Sequence, residues 1–74
     1  MDYEYSRVLG KNIRALHWER GLTQEQLAAR LQVAGCDMTR SALAKIEVGQ
    51  RHLYPDELKG LRTVLNVPYE AILI

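Results

Sequence analysis

The side chains most apt for metal or nucleophilic chemistry are few: His17, His52 and a single cysteine, Cys36. A zinc site needs several nitrogen or sulfur ligands at short, defined spacings, and neither histidine has a second ligand at such a spacing. No Ser/His/Asp, Cys/His or paired-carboxylate arrangement comes with a pocket that so short a chain can enclose. No metal, cofactor or catalytic residue is therefore expected. A lone cysteine cannot form an intrachain disulfide, which points to a reducing, cytoplasmic setting. Cys36 itself reads as a small, partly buried filler; the alternative is an oxidation-sensitive position.

What remains is cationic chemistry. Ten Lys and Arg against nine Asp and Glu leave a net charge of +1, too little for blanket affinity to a polyanion. The charge is uneven, however. Residues 1–22 carry +1, residues 23–38 and 53–74 carry −1 each, and residues 39–52 carry +2 through Arg40, Lys45 and Arg51 against Glu47. His52, whose simplest reading is an exposed loop histidine, adjoins that segment. Arg40 and Lys45 are either an ordinary solvated face or the cations of a binding surface, whereas Arg7, Lys11 and Arg14 read as solvated.

Elements must hold these cations in place. Seventy-four residues make one domain, residues 1–74, and a chain this short buries only about 60% of its unfolded surface. Hydrophobic residues at 47% and charged residues at 26% fit a folded domain, not a disordered tail. The start, Met1 to Tyr5, has neither a basic region nor an apolar run, and no apolar stretch is long enough for a membrane span. Neither export nor membrane insertion is expected.

The apolar spacing predicts five helices and no sheet. Leu9, Ile13 and Leu16 give a first helix an apolar face from Tyr5 to Arg20, closed by Gly21. Trp18 lies off that stripe, suiting a packing or interface role. Thr23 with Gln26 forms a capping box for a second helix to about Gln32, with Leu27, Ala28 and Leu31 inward. After a weakly helical stretch, Thr39 caps a third helix over about 39–48, with Leu43 and Ile46 buried and Gly49 at its end. Pro55, Asp56 and Glu57 open a fourth helix with Leu58, Leu61 and Leu65 on its stripe, and Asn66 can take the left-handed terminating conformation. Pro68 opens a short last helix to Leu73. Tyr3, Tyr5, Tyr54 and Tyr69 read as packing residues rather than platforms for stacked bases.

Several phrases in register point further: Ile13-Arg14-x-Leu16, Gly21-Leu22, Thr-Gln-Glu-Gln-Leu-Ala at Thr23 to Ala28, Ile-Glu-Val-Gly-Gln-Arg at Ile46 to Arg51, and Leu65-Asn66-Val67. From about Leu9 to Leu73 the chain resembles the phage-repressor-like helix-turn-helix family, of the Cro/C1 or XRE type. The resemblance implies an all-α, compact five-helix lambda-repressor-like DNA-binding domain whose motif is helices 2 and 3. Two departures stand out. Gln32 occupies the place of the family's turn glycine and the link to Thr39 is lengthened, which leaves room for helix 3 to tilt or shift. His17 stands where the family commonly has an Arg that pairs with the Glu at the end of helix 3, here Glu47. A carboxylate there would favour the protonated ring, giving a pH-dependent structural brace.

In such a motif helix 2 crosses the duplex and helix 3 puts its N-terminal half into the major groove. The resemblance thus assigns base contacts to Arg40, Ser41, Ala44 and Lys45, which share no face with Leu43 and Ile46. A guanidinium at Arg40 can bridge O6 and N7 of guanine, and Ala44 can meet a thymine methyl. Phosphate contacts fall to Gln24, Thr39, Gln50 and Arg51. The expected function is a sequence-specific double-stranded DNA-binding regulator, a repressor, acting as a homodimer on a palindromic operator. Tyr69, Ile72, Leu73 and Ile74 are its expected seam. The alternative is an antitoxin-like or adaptor protein that uses the same fold for protein–protein interaction.

Overall fold

The computed structural model describes residues 3–74 and contains five helices: α1 (Tyr3–Glu19), α2 (Gln24–Val33), α3 (Arg40–Glu47), α4 (Pro55–Leu65) and α5 (Tyr69–Leu73). No strand occurs among the described residues. Met1 and Asp2, part of the start read above for a leader, and the side chain of Tyr3, lie outside them. α3 is one residue shorter at each end than its pattern suggested, because Thr39 is its N-cap and Val48 its C-cap.

Local chemistry sets each boundary. Gly21 takes φ +68°, and its turn lets the Leu22 N–H donate to the His17 carbonyl at 2.9 Å, closing α1. The capping box at α2 is complete: the Gln26 N–H donates to Thr23 Oγ1 at 3.1 Å and the Thr23 N–H to Gln26 Oε1 at 2.9 Å. Asn66, at φ 54°, ends α4 in the left-handed region. These turns fix where one helix stops and at what angle the next begins.

The long link between α2 and α3 is tied down rather than loose. Gly35 adopts φ +88°, which lets the Cys36 N–H donate to the Leu31 carbonyl at 2.8 Å. Gln32 Nε2 donates to the Met38 carbonyl at 3.3 Å, and the Met38 side chain is buried in the core. Cys36 is partly buried, packing between Leu31 and Gly60. Burial, with the nearby Glu57 and Asp56 carboxylates, pushes its thiol above the usual range, the reverse of what a reactive cysteine requires.

The core joins Ile13, Leu27, Leu31, Met38, Leu43, Ile46, Leu61, Leu65 and Ile72, drawn from all five helices and the link. On α1 the buried face is centred differently from the expected stripe. Ile13 is fully buried with Gly10 and His17 beside it, while Leu9 and Leu16 only flank the core. The reason is a close crossing: a Cβ at Gly10 would fall onto the carbonyl oxygens of Ile46 and Glu47 in α3. A mid-helix glycine costs about 1 kcal/mol relative to alanine, and here it lets α1 support the end of α3 directly.

The last helix corrects one expectation. Ile72 is 0% exposed, so it cannot belong to a seam between two copies. It fills the core, while Asn12 Nδ2 donates to its carbonyl at 2.8 Å and Tyr5 Oη donates to the Leu73 carbonyl at 3.3 Å. Of the four expected seam residues, Tyr69 and Ile74 remain exposed and Leu73 half-buried.

Candidate nucleic-acid interface

α3 buries Leu43, Ile46 and Glu47 and turns its other side outward. Arg40, Ser41 and Lys45 are exposed and Ala44 half-buried. Among the described residues the side chains of Arg40, Ser41 and Lys45 make no hydrogen bond or ion pair. Unpaired donors on a short helix anchored by its opposite face can be directed at a ligand without first breaking an internal bond.

The end of that helix is held by a buried polar network. His17 is 2% and Glu47 6% exposed. His17 Nδ1 lies 2.7 Å from the Leu22 carbonyl, which can only accept, so Nδ1 carries a proton. Nε2 lies 2.9 Å from Glu47 Oε2, and Gln24 Nε2 donates to Glu47 Oε1 at 3.1 Å. Each Glu47 carboxyl oxygen has one side-chain partner. The pairing that the sequence resemblance implied is thus formed, and it draws in Gln24. The network ties together α1, the start of α2 and the end of α3.

The phosphate candidates separate. Thr39 Oγ1 accepts from the Ala42 N–H at 3.1 Å, leaving its own O–H to donate. Gln24 begins α2, where backbone N–H groups are unpaired, but its side-chain amide already serves Glu47. Gln50 is exposed, and its backbone N–H donates to the Lys45 carbonyl at 2.8 Å across the turn after α3, where Gly49 takes φ +77°.

Arg51 departs from the expected role. Its Nη1 and Nη2 each donate to one oxygen of Glu57 at 2.9 Å, Nη1 also reaches the His52 carbonyl at 2.9 Å, and the guanidinium lies 5.5 Å from the Tyr54 ring centre. A bidentate pair with a buried carboxylate is an internal clamp, which leaves only Nε–H and one Nη2–H of Arg51 for any phosphate. Glu57 also accepts from the Tyr54 N–H at 3.0 Å, so the pair fixes the start of α4. Glu57 is thus more than an acidic residue at a helix start, and its three-residue spacing from Tyr54 is the sequence signal for that.

This clamp has a pH signature. The Arg51 hydrogen bonds hold the Glu57 carboxyl below the usual range, aided by the Tyr54 N–H and opposed by burial. A depressed carboxylate stabilises the fold above its unfolded value, about 4.3, and that stability is lost as pH falls through the folded value. Wild-type stability should therefore fall below about pH 4.3. Glu57→Gln, which keeps one acceptor, should cost about 1 kcal/mol at pH 7 and flatten the fall. Urea unfolding at a series of pH values is the check; equal slopes for the two proteins would remove the clamp from the stability of α4.

Residues 11–72 match the family described as helix-turn-helix. The chain belongs to that family. Its members of the phage-repressor-like, XRE type are DNA-binding regulators, and the family is not one of enzymes. In this helix-turn-helix protein α2 and α3 are the motif, α1 carries the brace behind it, and α4 and α5 complete the core. No curated protein and no solved structure matches the chain. No helix among the described residues is long and apolar enough to cross a membrane, and no three His, Cys, Asp or Glu side chains among them converge as a metal site.

Proposed function

We propose that this helix-turn-helix protein is a cytoplasmic, sequence-specific repressor that reads double-stranded DNA with the outer face of α3. The observation that carries the reading is the set of unpaired, exposed Arg40, Ser41 and Lys45 on a helix whose opposite face is buried and whose end is braced. Arg40 reads guanine, Ser41 and Lys45 reach neighbouring bases, and Ala44 lies against a thymine methyl. The backbone N–H groups at the start of α2, Thr39 and Gln50 hold phosphates and set the register.

A single α3 covers few base pairs, so the protein acts as a two-fold dimer on an approximate palindrome with half-sites about 34 Å apart. The seam consists of Tyr69, Leu73 and Ile74, without Ile72. The double variant Leu73→Glu, Ile74→Glu should sediment as a folded monomer where the wild type is a dimer. An unchanged sedimentation coefficient would remove this seam.

Titrating duplex DNA at increasing salt tests the reading as a whole. Phosphate neutralisation makes log K fall linearly with log salt, by about 0.9 per phosphate engaged. Absence of salt-dependent duplex binding by the folded protein would favour the adaptor role instead.

A further inference from the structure

A cleft of about 610 Å³ opens between the second half of α1, the start of α2 and α3, and Arg14, Trp18, Gln24 and Arg40 all line it. The cleft joins the two elements of the motif to a helix outside it. Arg14 and Trp18 are one turn apart on α1, so they share a face. Trp18 is 66% exposed, an uncommon setting for a large apolar ring. Among the described residues neither guanidinium has a carboxylate partner, and the indole N–H has no acceptor. Three donors without acceptors thus border one hollow beside the reading face.

Two arginines and an indole N–H call for a ligand rich in anionic oxygen. Resting on the DNA-binding reading above, we infer that this cleft seats a phosphodiester of the DNA backbone, held by Arg14 and Trp18 of α1. Arg14 supplies a charged fork to the phosphate oxygens, and Trp18 adds its N–H while its ring covers the adjoining sugar. Arg40 extends from the same cleft to a base, so the seat sets how deeply α3 enters the groove. Glu25, the one carboxylate on the cleft that neither His17 nor Gln24 engages, opposes the phosphate and limits the affinity.

The test uses full-length protein and a random-sequence duplex, with binding followed by fluorescence anisotropy from low to high salt. Arg14→Gln should lower the slope of log K against log salt by about 0.9, one phosphate. Trp18→Phe should weaken binding about fivefold, the loss of one hydrogen bond, and Glu25→Gln should tighten it. Lys59→Gln removes the same charge from α4, outside the cleft, and should leave the slope unchanged; thermal melting confirms that each variant is folded. A wild type with a steep slope that Arg14→Gln does not alter, or that Lys59→Gln lowers equally, would overturn the seat while leaving the DNA-binding reading standing. A folded wild type with no salt-dependent binding would overturn both.

Discussion

Glu47→Ala is expected to lower the free energy of unfolding by about 3–5 kcal/mol, the cost of breaking a buried ionic or strongly hydrogen-bonded pair from one side. A domain of this size is stable by roughly 4–11 kcal/mol in total, so the variant should be close to unfolded at 37 °C. The cause lies in what is left behind. His17 stays buried with Nε2 facing a void, and the Gln24 amide loses its acceptor. Glu47→Gln should behave differently. The ring's Nδ1 proton is fixed by the Leu22 carbonyl at 2.7 Å, so a neutral His17 presents Nε2 as an acceptor for the new amide N–H. The new amide oxygen can still accept from Gln24, and the cost should be about 1 kcal/mol. Urea unfolding of the two variants separates these cases. Equal losses would mean that packing, not the proton arrangement, explains the role of Glu47.

The second large effect is on recognition. Arg40→Ala should leave folding within about 0.5 kcal/mol of wild type, because an exposed, unpaired side chain supports nothing else. It should remove about 1–3 kcal/mol of discrimination, roughly 5- to 150-fold, between the preferred duplex and one changed at the guanine it reads. Its effect on random-sequence DNA should be small by comparison. Arg14→Gln should show the reverse, weakening all sequences alike. Competition binding with matched and altered duplexes distinguishes the two arginines. If Arg40→Ala lost affinity equally on every sequence, Arg40 would be a phosphate contact.

The elements were legible because their signals are local. Thr23 with Gln26 announced α2, the glycines at 21 and 49 closed α1 and α3, and Pro55 and Asn66 bounded α4. Those features act within one turn of the chain, as the observed caps and left-handed angles do. The face of α1 was only partly legible, because Gly10 carries no hydrophobic signal. Its value appears only when the Ile46 and Glu47 carbonyls of α3 lie against it. The His17–Glu47 pair was legible through the family's ion pair, whereas the inclusion of Gln24 was not.

The internal partners of Arg51 and Ile72 were hard to read for one shared reason. Each type suits a surface task, a cation for phosphate and an aliphatic side chain for a seam, and the competing partner sits elsewhere in three dimensions. Glu57 takes Arg51 across the loop, and the core takes Ile72 because Asn12 and Tyr5 hold α5 against α1. The near-neutral total charge was similarly uninformative. The Arg51–Glu57 clamp uses charge internally, Glu47 is buried against His17, and what remains outward on α3 is Arg40 and Lys45.

Selection of bound duplexes from a random pool by the wild-type protein at moderate salt measures sequence reading most directly. Reading by paired α3 helices predicts enrichment of an approximate palindrome whose half-sites are centred about 34 Å apart, with guanine at the position lost in Arg40→Ala. A folded protein that enriches no sequence over the input pool, even at low salt, would contradict it.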